Sequence, residues 1–293
     1  MSSLKARLHA LGLLATAAEL DDLVALATKK RWGPQQLLQH VVDVEEKDRA
    51  RRGLDRRRAR SRLERFKPMA DFDWNWPTKI ERPLVESVVR LDFLESARNV
   101  VLVAPQGLGK TMIAQNIAHQ AILAGHGVLF LSAAQLLLDL AAQESARALD
   151  RRLRYYAKIG LLIIDEIGFL AFDNRNADLL FQVVSRRYEK KSLVLTTNLA
   201  FRDWPTIFPN ATCATALIDR VVHHADVIPI EGELEGSRGR AVRQGTAEPR
   251  RRSPRCTQRP EPPQLTFTQP DATSVARAVH ISALSDARQH LGL

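Results

Sequence analysis

The 293-residue sequence predicts an α/β fold: a five-stranded parallel sheet with helices on both faces, a helical segment before it and a disordered tail after it. Three observations predict this. Short apolar runs alternate with helical patterns between about residues 99 and 230. One of those runs opens into a glycine-rich turn, and another ends in two adjacent acids. The flanks differ in kind. The first ~65 residues carry helical periodicity, whereas residues 238–264 are Arg-, Pro-, Gly- and Ser-rich with almost no apolar side chains.

Taken in order, Leu4, Leu8 and Leu11, then Leu20, Leu23 and Leu26, recur at helical spacing. Gly33-Pro34 breaks the pattern, and proline suits the first turn of the next helix. Leu37, Leu38, Val41 and Val42 give that helix an apolar face, so a bundle of about three helices is expected. Beyond Val44 the helix becomes highly charged. Arg49, Arg51, Arg52, Arg56, Arg57, Arg58, Arg60, Arg62, Arg65 and Lys67 are opposed only by Asp55 and Glu64, and Pro68 is expected to close the helix. With so few apolar residues the stretch reads as unburied. Part of it is a solvated helix face, but the excess of like charge would be relieved by phosphates.

After an aromatic linker, Asp71-Phe72-Asp73-Trp74-Asn75-Trp76-Pro77, strands are expected at residues 99–103, 128–131, 161–164, 193–197 and 227–230. Helices are expected at 111–123, 133–158, 177–189 and 216–223. Strands alternating with helices imply a parallel sheet covered on both faces. The expected organisation is a helical, basic segment (1–67), an α/β core (68–232) and an extension (233–293). The extension buries too little apolar surface to order itself, although residues 273–293 carry a weak helical pattern.

Charge and cysteine content narrow the function. Forty-three Lys and Arg against 33 Asp and Glu give a formal charge of +10, which suggests a polyanionic partner such as nucleic acid. Cys213 and Cys256 have no metal-ligand spacing and form no disulfide framework. The first residues carry no signal pattern, and no run approaches the ~20 apolar residues of a membrane span. A cytoplasmic protein without a membrane partner is expected.

The chemistry concentrates in Ala104-Pro105-Gln106-Gly107-Leu108-Gly109-Lys110-Thr111. Glycines let backbone N–H groups wrap phosphates, a lysine reaches the β/γ oxygens, and a Ser or Thr hydroxyl serves Mg²⁺. A strand before and a helix after put the helix N-terminus at the phosphates. Gly107, Leu108, Gly109, Lys110, Thr111 and Met112 are therefore expected to bind ATP. Asp165 and Glu166 end the third strand, at the sheet edge where α/β ligands sit. Asp165 is expected, with Thr111, to hold Mg²⁺, and Glu166 to activate water as general base. Without the phosphate loop this pair would read equally well as a solvated acidic turn. Asn198, ending the fourth strand, carries an amide suited to orienting water or the γ-phosphate. Arg220, at the edge of an apolar helix, is a candidate to reach a neighbouring subunit's γ-phosphate, though taken alone it reads as a surface arginine.

In this order, Gly107-Leu108-Gly109-Lys110-Thr111, Leu162-Ile163-Ile164-Asp165-Glu166-Ile167-Gly168, Ser185-Arg186-Arg187-Tyr188-Glu189, Thr196-Thr197-Asn198-Leu199 and Leu217-Ile218-Asp219-Arg220-Val221-Val222-His223-His224-Ala225 resemble the IstB/DnaC family of AAA+ ATPases. Phe72-Asp73-Trp74-Asn75-Trp76-Pro77 and the basic helix look like its IstB branch, and the resemblance covers about residues 4–232. It implies a helper ATPase of an insertion-sequence transposase that forms a homo-oligomer on duplex DNA with ATP and stimulates the transposase. DnaC-like relatives instead load a replicative helicase, which is the alternative. A small-molecule P-loop kinase fits less well, because adjacent Asp165 and Glu166 suit water activation better than acceptor binding. The resemblance makes Asn198 the sensor and Arg220 the finger, and it points Arg187 toward a subunit boundary. The basic helix supplies the expected DNA contacts: Arg51, Arg52, Arg56, Arg57, Arg58 and Arg60. Two departures stand out. Ala104 replaces the usual glycine, and residues 233–238 give no counterpart of the family's Ser-Tyr-Arg-like ending. The extension is read as a frameshifted or fused segment without a selected role.

Overall fold

A computed structural model of the chain describes residues 3–169 and 171–232. The extension from residue 233, with Cys256 and the weak helical pattern, lies outside the described residues.

The sheet forms because five segments are apolar on both alternating faces, as strands covered on two sides must be. These are β2 (Asn99–Val103), β3 (Val128–Ser132), β4 (Leu161–Asp165), β5 (Leu193–Thr197) and β6 (Ala225–Glu231). They run parallel in the order β6-β2-β5-β4-β3. A sixth strand, β1 (Lys79–Ile80), pairs antiparallel with β6 at the edge. The sheet is therefore six-stranded and mixed. Two residues are too few for any periodic pattern, so β1 could be recognised only from its partner, whose Glu231 carbonyl accepts the Thr78 N–H at 2.8 Å.

The period of two sorts the core. Val101, Leu129, Leu131, Leu162, Ile164, Leu193 and Leu195 face one layer, built from α8 (Ala133–Ala141), α9 (Ala146–Lys158), α10 (Asn174–Arg187) and α11 (Ala211–Val222). Val100, Leu102, Leu161, Ile163, Val194 and Ile228 face the other, built from α5 (Arg82–Val89), α6 (Asp92–Glu95) and α7 (Lys110–Leu123). Asn99 fastens β2 to β5 and to α11. Its amide donates to the Val221 carbonyl at 2.9 Å and accepts the Leu193 N–H at 3.0 Å.

Helix starts follow their caps, and several differ from the sequence expectation. Ser132 and Gln135 form a reciprocal capping box on α8. The helix expected over 133–158 is two helices, because Ser145 accepts the Ala148 N–H at 3.2 Å and starts α9. Asp173 and Asn210 likewise cap α10 and α11, so both begin earlier than their apolar faces suggested.

The N-terminal segment has four helices, not three: α1 (Leu4–Ala10), the five-residue α2 (Leu14–Ala18), α3 (Leu20–Lys30) and α4 (Pro34–Arg60). The basic helix α4 is 27 residues long and stops at Arg60, not at Pro68. The Ser61 hydroxyl donates to the Arg58 carbonyl at 2.7 Å, and Arg62 adopts a left-handed backbone with φ 56°. The Ser61 carbonyl then accepts the Phe130 N–H of β3 at 2.8 Å, which draws the chain onto the sheet edge. Arg62, Arg65 and Lys67 therefore follow the helix instead of extending it. The expectation that this stretch stays unburied also fails in part. Leu54 and Leu63 pack against the α5–α7 layer, and the Arg57 Nε–H donates to the Ile122 carbonyl at 3.2 Å. Long basic side chains lay their stems on the core while their charges stay outside. Among the described residues, no helix is long and apolar enough to cross a membrane.

Candidate functional site

The loop after β2 places its glycines where only glycine is easily accommodated. Gly107 and Gly109 have φ of 78° and 84°, and α7 begins directly at Lys110. A Cβ on Gly109 would stand 2.5 Å from the Phe72 ring. That ring, from the segment read as a mere linker, therefore lies against the loop. Phe72 meets Trp74 edge-on at 4.8 Å, and the Arg82 guanidinium sits 4.7 Å from the Trp74 ring centroid. Asn116 of α7 clamps the same segment: it accepts the Met69 N–H at 2.9 Å and donates to the Lys67 carbonyl at 3.0 Å. Ala104 is buried in the core, and its N–H donates to the Thr197 carbonyl at 3.1 Å. Its extra methyl is thus absorbed by packing beneath the loop. Leu108 is also buried, so what it can offer a ligand is its backbone N–H. Met112 is half-buried against the α5–α7 layer.

Lys110 folds back over the loop, and its ammonium donates to the Ala104 and Pro105 carbonyls at 2.7 Å each. Burial pulls its pKa below the ordinary lysine value, and the charges of Asp165 and Glu166 offset only part of that. The Thr111 hydroxyl donates to Asp165 Oδ2 at 3.1 Å. From the other side, Thr196 of β5 donates its hydroxyl to Asp165 Oδ1, and its oxygen accepts the Glu166 N–H at 2.9 Å. Glu166 is exposed and left-handed at φ 63°, turning the chain sharply away from β4. Asn198 lies against the turn that follows. A Cβ on Gly168 would meet its Oδ1 at 1.9 Å. That oxygen is buried without a hydrogen-bond partner among the described residues.

The structure thus brings Gly107 to Thr111, Asp165, Glu166 and Asn198 to one sheet edge. The residues fit a phosphate and a hard cation. Asp165 is buried, is held only by two hydroxyls, and has no basic partner at ion-pair distance among the described residues. A buried carboxylate left so is costly, and oxygen donors of this kind suit Mg²⁺.

Two arginines fall elsewhere. Arg187 is wholly buried, with its guanidinium donating to the carbonyls of Tyr156, Ile159, Gly160 and Ser192. Burial depresses its pKa. It ties the end of α9 and the turns before β4 and β5 to α10 and is absent from the surface, which corrects its placement at a subunit boundary. Arg220 lies near the end of α11, the helix that feeds the start of β6. This is the sheet edge opposite the phosphate loop, about 16 Å away along a five-residue strand. Its guanidinium rests over Phe181 and Tyr188, 5.4 and 5.2 Å from the ring centroids. It takes no part in its own chain's site.

The basic helix divides in two. Arg51 and Arg52 are paired with Asp48, at 2.6 Å each. Arg56, Arg57 and Arg60 instead line a cavity of about 290 Å³ with Gly53, Gly127 and Val128. No described carboxylate pairs with them or with Arg58.

With this geometry in view, the comparison with known proteins is decisive. A family profile described as IstB-like ATP binding protein matches residues 6–242. The chain belongs to this family. It is 34% identical over 233 residues to a Pseudomonas aeruginosa protein described as an ATP-binding protein of insertion sequence IS21, spanning 80% of this chain and 88% of that one. It is 38% identical over 167 residues to the corresponding IS232 protein of Bacillus thuringiensis subsp. berliner, spanning 57% of this chain and 67% of that one. Among solved structures, the crystal structure of DnaI is similar at a TM-score of 0.46 and 18% identity, over 57% of this chain and 88% of that one. As an IstB-like protein the chain is an ATP-binding protein of insertion-sequence type.

Some residues of this IstB-like site escaped the sequence reading. Thr196 was part of a recognised marker, but its hydroxyl contact with Asp165 depends on the β4–β5 register. Phe72 lies in a stretch whose local sequence indicates only a linker, because its packing on Gly109 joins segments more than thirty residues apart. Gly168 belonged to a marker as well, yet nothing local shows that Asn198 fills the space beside it.

Proposed function

We propose that this IstB-like protein is an Mg²⁺-dependent ATPase that assembles as a homo-oligomer on duplex DNA and serves as helper to its element's transposase. The observation that carries the ATPase reading is the chain of contacts Thr111–Asp165–Thr196–Glu166, which joins the phosphate loop to both acids. In this reading the N–H groups of residues 107–111 wrap the phosphates, and Lys110 exchanges its loop carbonyls for β/γ oxygens. Asp165 and Thr111 hold the metal. Mg²⁺, when bound, supplies charge neutralisation at the phosphate oxygens. Glu166, exposed at the mouth of the site, accepts the proton of the attacking water, and Asn198 presents its amide to that water or to the γ-phosphate. Arg220 completes the site of a neighbouring subunit. The unpaired arginines of α4 support duplex phosphate as the polyanion, and the insertion-sequence relatives support a transposase as the protein partner.

The test is ATP hydrolysis by the full chain, with and without long duplex DNA, over a range of protein concentrations. Turnover should rise with both. Lys110→Ala should abolish ATP binding. Glu166→Gln should bind ATP and DNA yet hydrolyse about 10²–10⁴-fold more slowly, the usual worth of a general base. Normal turnover in Glu166→Gln would assign the base elsewhere. Capture of a replicative helicase in place of the transposase would turn the reading to loading.

A further inference from the structure

Away from the nucleotide, where α10 ends and α11 passes into β6, three metal-ligating side chains meet. Glu189, His223 and His224 each offer one ligand atom, and these atoms lie within 4.8 Å of one another. His224 Nε2 is 3.4 Å from Glu189 Oε1, and His223 Nδ1 is 3.9 Å from the same oxygen. The two imidazoles meet edge to face, with centroids 4.3 Å apart and planes at 72°. They turn toward the carboxylate without stacking over each other. Glu189 is held there by a left-handed backbone, φ 55°, which a glutamate seldom adopts. The Tyr188 hydroxyl stands 2.9 Å from His223 Nδ1, a hydrogen bond that a metal ion taking that nitrogen would displace.

We propose that Glu189, His223 and His224 form a binding site for a divalent transition-metal ion of the zinc class. Tetrahedral zinc with bonds of about 2.0–2.2 Å to imidazole and carboxylate sets its ligand atoms roughly 3.3–3.5 Å apart. One pair already has that spacing at 3.4 Å, a second must close from 3.9 Å by roughly half an ångström, and the third lies within 4.8 Å. All three side chains are about half exposed, so rotamer adjustment suffices for this. Two imidazoles and one carboxylate select zinc, nickel or copper over magnesium, which prefers oxygen ligands. The site is therefore chemically distinct from the Thr111–Asp165 pair. Three protein ligands leave a position open for water or for a group from another molecule.

A bound ion would pin the turn after α10 to the junction of α11 and β6. Arg220 lies 5.2 Å from the ring of Tyr188, the residue next to Glu189. On the reading of Arg220 as a trans-acting guanidinium, the ion would steady the aromatic seat on which it rests. Metal binding itself does not depend on that reading.

The experiment is calorimetric titration of chelator-stripped full-length protein with Zn²⁺ in excess Mg²⁺, repeated with Co²⁺ as an absorption probe. One zinc per chain is expected at this site. Affinity should fall on the order of tenfold or more in both Glu189→Gln and His224→Ala, with loss of the cobalt visible bands. His126→Ala, an exposed histidine elsewhere, should bind as the parent does. Absence of zinc binding by the parent overturns the proposal. So does parental affinity in either ligand variant, or equal loss in His126→Ala.

Discussion

At the scale of single residues, the candidate site depends on what neighbours leave room for. Gly168 is a direct case, since a Cβ there would stand 1.9 Å from Asn198 Oδ1 and 3.2 Å from Leu199 Cγ. Gly168→Ala must push Asn198 off its position. It should cost about 1–3 kcal/mol in stability, as overpacking usually does. If Asn198 orients the water or the γ-phosphate, turnover should fall while ATP affinity stays near the parent value. Urea denaturation and steady-state hydrolysis measure the two effects. Turnover at the parent rate, with Asn198 displaced, would remove it from the reading.

At the scale of elements, α4 is both a structural strut and a charged surface, and its arginines differ accordingly. Arg51 and Arg52 share Asp48, whose carboxyl is held low by hydrogen bonds and charge from both, and Arg51 also has Asp55 at 3.8 Å. Arg56 and Arg60 face open space beside Gly127. Releasing one counterion per phosphate contact changes the slope of log affinity against log salt by about 0.9 for duplex DNA. Arg56→Gln with Arg60→Gln should therefore reduce that slope by roughly two, and Arg51→Gln should barely move it. Anisotropy titrations on duplex DNA at several salt concentrations decide this. Arg57 is a poorer probe, because its bond to Ile122 joins α4 to α7.

The α8–α9 pair offers an electrostatic test. Burial pushes the Asp139 carboxyl up, but the hydrogen bonds and charge of Arg152 and the hydroxyl of Tyr156 outweigh it and hold the pKa below the usual value. A carboxylate whose folded pKa is depressed contributes in full above its unfolded value near ~4 and loses that contribution as pH falls through the folded value. Asp139→Asn should cost about 1.5–3 kcal/mol at neutral pH. The gap between variant and parent should close below about pH 4, as seen in denaturation curves across pH.

At the scale of the whole molecule, the parallel sheet separates two functions by its length. The phosphate loop, Asp165, Glu166 and Asn198 cluster at the carboxyl edge, and Arg220 sits at the amino edge. A parallel strand order enforces this, because a helix that feeds a strand must end where that strand begins. Arg220 is too far from its own chain's phosphate loop to act there, and the proposed function has it act on another subunit's nucleotide. Arg220→Ala should bind ATP normally and hydrolyse it slowly. Mixing it with Lys110→Ala, which keeps its arginine but has lost its own site, should restore part of the turnover. No recovery on mixing would show that the two residues do not act across one interface.

Periodicity and motif by themselves determined the five parallel strands, because each segment carries a short run of apolar residues that reaches both faces. They also picked out the phosphate-loop motif and the two acids that the structure brings beside it. The chemistry there is local: the glycines, Lys110 and Thr111 are contiguous, and Asp165 with Glu166 terminates an unmistakable buried run. What depends on distant partners was left to tertiary structure. The pairing of β1 with β6, the capture of Ser61 by β3 and the Phe72 ring on Gly109 each join residues far apart in sequence. Arg187 shows why the limit is physical. Beside Arg186 it looks like surface charge, and only the folding of α9 and of the turns before β4 and β5 around it supplies the four carbonyls that let a guanidinium be buried.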